Sequence, residues 1–422
     1  VPLPPSGIFN FRSVNIPLGV TVRFKRNATN TPVTILVAGD AVITGNINLD
    51  GETAPATGPV AGNVNPLDDG LPGKGGPGGF DGGYGGLPTG GSAGRGSNGL
   101  GPGGGGGADP ISDGEGYLYA SGGGGGHATS GQSGRTRLDF RAGVGVAGAV
   151  YGSDVLLPLI GGSGGGGEAG GDRQGGGGAG GGGALLIAAT GTVTLTGSIS
   201  AAGGAQGPSI GYHGGAGSGG AVRIVATTIT GRGNINADGK IGNNSAGGSG
   251  QGRIRLEAES LVGIGPTSPA FTFGTPGPLF VTGQPALRFA TVAGIPVPAS
   301  PTGFGDVTVP TATPNPVTIT LATTGVPVGS TVKVSVIPQY GPAISIDSPP
   351  TAGSLDSATT SVSLDIPPGH SVLSAQTTFM VLAAVGDALS RFAQGERVEK
   401  VTLTSTLGQG DKATLHTVAG RQ

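Results

Sequence analysis

Cysteine and tryptophan are absent from this chain of 422 residues, and methionine occurs once. The absence of cysteine excludes disulfides, thiolate metal sites, iron–sulfur clusters and c-type haem attachment. Charge is also scarce, since 11% of the residues are charged and the formal net charge is -2. Lys and Arg are scattered singly, so the chain lacks the basic patch that binds nucleic acid or anionic membranes. We therefore expect no nucleic-acid partner and no cofactor.

Long apolar runs are missing too. No run approaches the ~18 consecutive apolar residues that a membrane-spanning helix needs, so we predict no membrane insertion. The chain begins at Val1 rather than Met. That start is typical of a secreted protein whose signal peptide has been removed, and equally of a trimmed chain. We predict an extracellular or cell-surface location.

Glycine and short aliphatic runs are what the sequence has in abundance. It contains 94 Gly and 33 Pro, yet 35% of its residues are hydrophobic, which disfavours wholesale disorder. Repeated short strands closed by glycine turns predict stacked coils, as in a β-solenoid. A degraded fourth copy begins at Arg253, and the three clear copies are ILVAGDAVITGNINLDG (35–51), LLIAATGTVTLTGSISAAGG (185–204) and VRIVATTITGRGNINADG (222–239).

The repeat also predicts which side chains face inward. Alternation with period two puts every second residue of a strand on the buried face. The segment from Phe9 to Phe24 is interpreted as one or two earlier strands of the same stack. The residues predicted to face inward are Ile35, Val37, Ile47, Leu185, Ile187, Ile199, Val222, Ile224, Ile235, Ile254 and Leu256.

Residues 52–183 separate the first two copies and consist mostly of Gly, with Pro, Ser and Asp. A flexible linker is one interpretation of this composition. The other is an ordered layer of polyglycine-II-type helices, which pack closely because no Cβ intervenes and bond laterally through N–H and C=O groups. Similar segments follow the later copies, at 202–220 and 238–252. This recurrence favours the ordered layer.

Composition divides the chain into four predicted parts. Residues 1–11 form an N-terminal arm, and residues 12–260 form the Gly-rich β-solenoid with its polyglycine-II layer. Residues 261–305 are Pro-rich and are predicted to be a cap or connector. Residues 306–422 show six or seven short strands, typical of an immunoglobulin-like or fibronectin-like β-sandwich. The predicted fold class is therefore all-β.

Three stretches resemble large Gly-rich surface or secreted proteins of bacteria. They are IPLGVTVRFKRNATNTPVTILVAGDAVITGNINLDG (16–51), PLIGGSGGGGE (158–168) and GGAVRIVATTITGRGNINADG (219–239). The resemblance covers roughly residues 8–260. It implies export and an extracellular structural role, and it supplies no catalytic residues.

Candidate catalytic and metal-binding residues are few. Asp68 and Asp69 in NPLDDG are weak calcium-ligand candidates, with an ordinary Asp turn as the alternative. GGFDGGYGG (78–86) is faintly similar to calcium-binding nonapeptides, but its repeat does not continue. Asp139 is a single carboxylate among Arg135, Arg137 and Arg141, without a second acid or base. The four histidines show no paired spacing: His127, His213, His370 and His416. We predict that the protein is not an enzyme.

The lack of chemistry, together with the exposed ends of a solenoid, predicts a structural subunit of an extracellular homopolymeric filament or surface coat. We expect subunits to join by β-strand addition, with the N-terminal arm as the inserted strand and the C-terminal sandwich as its acceptor. The residues assigned to assembly are Val1, Pro2, Leu3, Pro4, Pro5, Ile8, Phe9 and Phe11.

Two other functions stay open. One is a cell-surface adhesin that binds surface glycans, although 12 Phe, 6 Tyr and no Trp offer little stacking surface for sugars. The other is ice binding, suggested by the alternating Thr192, Thr194 and Thr196. We expect no repetition of this threonine run in the other copies, which weakens the ice-binding hypothesis.

Overall fold

Strands dominate the structure, as the alternating patterns predict. The computed structural model is all-β, and among the described residues its helical structure is one 3-10 turn at Pro66–Asp68. The chain divides into two units, Val1–Phe280 and Val281–Gln422. The residues that the structure describes are 1–58, 66–87, 94–112, 117–118, 120–136, 143–171, 174–207, 213–242, 247–277, 279, 285–298, 306–338, 342–380, 398–407 and 410–417.

The strands of unit 1 follow one another in rungs, each made of consecutive strands. Rung 1 contains β1 (Ile8–Phe11), β2 (Val14–Ile16) and β3 (Thr21–Arg23), and rung 2 contains β4 (Val33–Val37), β5 (Ala41–Ile43) and β6 (Asn46–Asn48). A short antiparallel hairpin follows, made of β7 (Ile111–Ser112) and β8 (Tyr117–Leu118). Rung 3 contains β9 (Ala184–Ala189), β10 (Thr192–Leu195) and β11 (Ser198–Ser200); rung 4 contains β12 (Ala221–Thr230) and β13 (Asn234–Asn236); rung 5 contains β14 (Arg253–Val262) and β15 (Thr267–Ser268), and β16 (Thr272–Gly274) follows it.

Successive rungs pair in parallel and in register, so the repeat in the sequence is a repeat in space. The rungs build a nine-stranded sheet and a five-stranded sheet, the latter ordered β15-β13-β11-β6-β3. In the larger sheet, residues 221–225 of β12 pair with β9 and residues 228–230 pair with β10. Ile187 lies between Ile35 and Ile224, and Ile224 lies beside Leu256. Equivalent positions of the copies therefore stack on one another.

All the residues predicted to face inward are buried, and they belong to one hydrophobic cluster. The least buried of them, Ile35, exposes 6% of its surface. Each such aliphatic side chain contributes about 1.5–3 kcal/mol when it leaves water. Aromatic residues continue the same inward row at both ends, with Phe9 beside Ile35 in rung 1 and Phe273 beside Leu256 in β16. The earlier strands predicted between Phe9 and Phe24 are β1, β2 and β3.

The glycine-rich segments are held by backbone hydrogen bonds that recur at every third residue. The N–H of Gly73 donates to the carbonyl of Gly178, and that of Gly76 to Gly181, both at 2.9 Å. Antiparallel neighbours keep the same spacing, as in the bonds from Gly162 to Gly182, from Gly165 to Ala179 and from Glu168 to Gly176. In the part of the chain that the structure describes, these segments are ordered elements rather than a linker.

Unit 2 contains two antiparallel five-stranded sheets. Their strands are β17 (Ala286–Val292), β18 (Ile295–Pro296), β19 (Val317–Thr324), β20 (Lys333–Pro338), β21 (Ile344–Asp347), β22 (Ala352–Ser354), β23 (Ser357–Leu364), β24 (Ser371–Met380), β25 (Val398–Thr406) and β26 (Gly410–Thr417). The strand orders are β18-β17-β19-β23-β22 and β21-β20-β24-β25-β26. Side chains from both sheets, among them Leu287, Ile319, Val334, Leu373 and Val401, form one core.

Candidate functional site

The predicted N-terminal arm is docked on its own chain. The ammonium group of Val1 donates to the carbonyl of Arg23 at 2.6 Å, and Lys25 N–H donates to Val1 O at 2.8 Å. Leu3 is 7% exposed and joins the core of unit 1. Of the other predicted assembly residues, Pro2 forms a parallel bridge with Lys25. Insertion of the whole arm into another subunit would first break these contacts.

Two more arm residues hold the loop that connects rung 1 to rung 2. The carbonyls of Pro4 and Pro5 both accept from the Asn27 side-chain amide, at 2.7 and 3.3 Å. Ile8, Phe9 and Phe11 form β1, which pairs with β4. The assembly residues therefore belong to the same surface of the stack, rung 1, and do not project from it.

Rung 1 ends the stack with an exposed strand edge and apolar side chains. β1 and β2 each occupy the end of their strand order, so one edge of each has no strand partner among the described residues. β3 also ends its sheet, and residues 1–3 bond along its outer edge. Phe11 stacks on Phe9 with 5.9 Å between ring centroids and stays 45% exposed. Leu18 is 87% exposed. Unpaired edges of this kind are templates for pairing with another chain.

The charges at this end are all of one sign. Arg12, Arg23 and Lys25 are exposed, and the sequence has no Asp or Glu before Asp40. Arg26 is a fourth basic side chain at this end, and within the described residues it pairs with Asp81 at 2.5 Å. Rung 1 therefore presents a positive rim around an apolar edge.

A second exposed edge lies in unit 2. β21 ends its sheet, and all four of its residues are exposed. Ile344 and Ile346 lie directly opposite Val336 and Val334, which are fully buried. Opposite residues of an antiparallel pair share a face, so the core row of β20 continues into two isoleucines that are 38% and 41% exposed. The core of unit 2 is thus open along β21.

One of the two carboxylates proposed as calcium ligands, Asp69, has another partner. Asp69 accepts a hydrogen bond from the N–H of Gly58 at 3.3 Å, and Asp68 lies in the 3-10 turn. Asp81, in the GGFDGGYGG stretch, binds Arg26 and accepts from Gly75 N–H at 2.7 Å. No group of three or more potential metal ligands occurs in the described part of the chain. The turn interpretation of Asp69 fits these contacts.

The other candidates are distributed through the fold. Residues 137–142, with Arg137, Asp139 and Arg141, lie outside the described residues, and Arg135 is exposed beside them. His213 contacts the carbonyl of Gly207 at 2.9 Å. His370 is exposed, and the side chain of His416 lies outside the described residues.

The threonine run is repeated in one neighbouring rung, contrary to the expectation from the sequence. Thr192 and Thr194 lie beside Thr228 and Thr230 in register. The row ends in valine on the next rungs, since Val42 lies beside Thr194 and Val262 beside Thr230. The array is therefore two rungs wide. The repetition is hidden in the sequence because three residues, 189–191, precede the paired threonines in the earlier copy, whereas two residues, 226–227, precede them in the later copy.

A buried ionic cluster in unit 1 was not predicted from the sequence. Arg223 donates to the Glu257 carboxylate through Nε and Nη2, at 3.1 and 3.0 Å, and both residues are 2% exposed. Arg255 Nε donates to the same carboxylate at 3.2 Å, and Gly277 N–H donates at 2.9 Å. Burial would raise the pKa of Glu257, but the arginines and Gly277 outweigh it and hold the pKa below its usual range. The cluster joins rungs 4 and 5.

A buried histidine lies where the glycine-rich segments meet the sheet. His127 is 1% exposed, contacts Gly219 O through Nδ1 at 2.8 Å and stacks on Tyr151 with 4.7 Å between ring centroids. Burial first, and the nearby charge of Arg253 second, lower the pKa of His127 to about 4. Arg253 in turn is ion-paired with Asp154. His127 is thus a neutral structural residue at pH 7.

Acid is expected to destabilise unit 1 through His127. Its pKa is 6.5 when unfolded and about 4 when folded, so only the unfolded state takes up a proton between these values. Stability is present above pH 6.5 and falls as the pH drops, by about 2 kcal/mol between pH 7 and pH 5. Hydrogen exchange of β9 and β12, corrected for intrinsic rates, measures this loss. His127→Asn keeps a donor for Gly219 without a titrating ring, and an unchanged pH dependence in that variant would contradict the assignment.

Comparison with protein-family models, curated proteins and solved structures finds no match for this chain. None of the described residues belongs to a helix with the length and hydrophobicity needed to cross a membrane. The two exposed edges and the hydrogen-bonded glycine-rich segments are therefore the features from which a function can be inferred.

Proposed function

We propose that this protein is a structural subunit of an extracellular homopolymer, a filament or a surface coat. In this proposal unit 1 is a short β-solenoid covered by a polyglycine-II-type layer, and unit 2 is an immunoglobulin-like β-sandwich. The observation that carries the proposal is the pair of unprotected edges, rung 1 and β21, both of which expose side chains from apolar core rows. Natural sheets usually protect such edges against association.

The fold details support this interpretation. Parallel rungs in register are the arrangement of a solenoid, in which each repeat buries its apolar face against its neighbours. Hydrogen bonds at every third residue match the three residues per turn of a polyproline-II-type helix. The resemblance to Gly-rich bacterial surface proteins implies export.

Purified protein is expected to form polymers whose length and abundance rise with concentration. Sedimentation velocity and electron microscopy measure this directly. Deleting residues 1–11 removes β1 and its apolar edge, and we expect it to abolish the polymers. The control is hydrogen exchange of β9 and β12, which must stay protected for the deletion to count. A monomer at every concentration of the intact chain would refute the proposed function.

A glycan-binding adhesin is the alternative. Unit 2 carries a shallow cleft of about 420 Å³ that includes Thr291, Thr313 and Thr318. Its described lining residues are threonine, proline, glycine and small aliphatic residues, without an aromatic ring for a sugar to stack on. Binding to a glycan array, lost on mutation of this cleft, would favour the adhesin over the structural subunit.

A further inference from the structure

The outer edge of β21 is complementary to itself. It has no strand partner among the described residues, and the sequence from Ile344 to Ile346, ISI, reads the same in both directions. An isologous contact, in which two copies use the same surface, requires such symmetry. We propose that β21 of one copy pairs antiparallel with β21 of a second copy, about a two-fold axis at Ser345. This inference rests on the proposed function, because it names one contact of that assembly.

The hydrogen bonds within unit 2 decide which atoms this edge presents. The N–H of Ser348 donates to the carbonyl of Val332, next to β20, at 2.8 Å. Backbone groups alternate sides along an antiparallel strand, so the even-numbered residues of β21 also bond to β20. The N–H and C=O groups of Ser345, of Asp347 and of Ala343 just before the strand therefore face outward. A new antiparallel strand bonds to these three residues.

The two-fold register follows from these outward groups. With Ser345 opposite Ser345 of the second copy, Ala343 lies opposite Asp347. None of the three is proline, so every pair exchanges both of its N–H···O bonds. Opposite residues share a face, so Ile344 of each copy lies on Ile346 of the other. The core row of β20, which β21 continues, then runs on into the second copy.

A shift of the register by two residues loses these pairs. If Ile346 meets Ile346 of the second copy, Ile344 lies opposite Ser348. The two Asp347 carboxylates then become diagonal neighbours, about 7–8 Å apart between their backbones, where like charges repel. A shift the other way places Ile346 opposite Pro342. The alignment about the proposed axis is therefore the one in which every isoleucine meets an isoleucine.

Charge favours a second copy of β21 as the occupant. The strand has a single ionisable residue, Asp347, which already lies opposite Lys333 of its own chain. The proposed register puts uncharged Ala343 on its other side, so no like charges lie opposite each other across the contact. The solvent-facing row at the axis is made of hydroxyls, with Ser335 Oγ and Ser345 Oγ 2.7 Å apart. The edge thus lacks the lysine or inward charge with which protected edges reject their own copies.

A single introduced cysteine tests the axis, because the chain has none of its own. Residues that exchange both hydrogen bonds have Cα atoms about 5.5 Å apart, within the range of a disulfide. We expect Ser345→Cys to form covalent dimers on mild oxidation about tenfold faster than Ser361→Cys, because contact raises the effective concentration of the two thiols. Ser361 is the matched control, since it is exposed, lies 3.0 Å from Thr320 Oγ1 and belongs to β23, inside the other sheet.

A charge on the joined core row tests which faces meet. Ile346→Lys, introduced into the Ser345→Cys variant, should slow dimer formation about tenfold, because the ammonium group would be buried opposite Ile344 without a partner. In the single chain residue 346 is 41% exposed, so the lysine reaches water there. Val328→Lys, at an aliphatic residue that is 49% exposed, should leave the rate unchanged. Unchanged hydrogen exchange of β20 and β24 shows that unit 2 keeps its fold.

The outcomes separate this contact from the proposed function. A rate for Ser345→Cys no higher than that for Ser361→Cys overturns the contact, and polymers of the intact chain would still support the structural role. Covalent dimers that appear only when Asn10→Cys is added identify β1 as the occupant and also overturn it. An isologous contact closes after two copies, so growth of a polymer needs rung 1 as well. Covalent dimers of a chain that never polymerises keep the contact and refute the proposed function.

Discussion

Replacing Gly215 with alanine is expected to destabilise unit 1 by about 3 kcal/mol or more. A Cβ at this position would lie 1.8 Å from the carbonyl oxygen of Gly123 and 2.4 Å from its carbonyl carbon. Both atoms are backbone, so no change of rotamer relieves the overlap, and the two glycine-rich segments must separate. Overpacking of a dense interior ordinarily costs about 1–3 kcal/mol. A clash with backbone belongs at or above the top of that range.

Gly277→Ala is the matched control for this substitution. The nearest atom to a Cβ at Gly277 is Glu257 Oε2 at 3.4 Å, which is an ordinary contact. We expect a change within about 1 kcal/mol, since alanine also reduces the entropy of the unfolded chain. Hydrogen exchange of β9 and β12 in the two variants measures the difference. Equal protection in Gly215→Ala and Gly277→Ala would contradict the close packing of the layer.

The glycine-rich segment that contains Gly215 also shows why some of its residues are not glycine. Ala216 and Ser218 are buried between Gly215, Gly217 and Gly219, and their side chains occupy space that the glycine positions lack. Ser218 uses its hydroxyl to accept from the N–H of Ser163 at 2.8 Å. A Cβ at Gly217 would lie 1.9 Å from Gly180 O. The glycine content is therefore set position by position by lateral packing.

The predictions that held depend on periodicity. Ile187 and Ile224 could be placed in the core because strand alternation fixes the face of each residue and the repeat fixes which residues are equivalent. The glycine layer offered no such signal. Glycine has no side chain, so the sequence contains no pattern that indicates a hydrogen bond from Gly73 to Gly178 rather than to another of the 94 glycines. Order in the layer was predictable, but its pairing was not.

The buried ion pair and the docking of the N-terminal arm on its own chain were not predicted, for different reasons. Arg223 and Glu257 are 34 residues apart, and one charged residue in a strand looks like a solvated surface residue. Aligning VRIVA with IRLEA would have put Arg223 and Arg255 at one repeat position, two residues before the position of Glu257. The arm seemed free because its strand is short and begins the chain. In the structure Phe9 fills the same row as Ile35, so β1 completes the stack instead of leaving it.

Glu257→Gln is expected to cost unit 1 about 3–5 kcal/mol, because it leaves the charge of Arg223 buried without its counter-ion. The Arg223 side chain is 2% exposed and cannot reach water without opening the sheet. Arg255 is less affected, since it also donates to the carbonyl of Phe273 at 2.8 Å. The loss is read from hydrogen exchange of β12 and β14 at pH 7.

An apolar replacement of both partners separates the ion pair from simple packing. Arg223→Met/Glu257→Leu removes both charges at similar volume and should recover most of the stability lost in Glu257→Gln, because a buried pair adds little over a well-packed apolar pair. The acid response gives a second readout. Since the folded pKa of Glu257 is lowered, its contribution is present above its unfolded pKa near 4.5 and is lost as the pH falls through the folded pKa. The double variant should lack that loss. If it is as unstable as Glu257→Gln, the cluster acts through shape and hydrogen bonds rather than through charge.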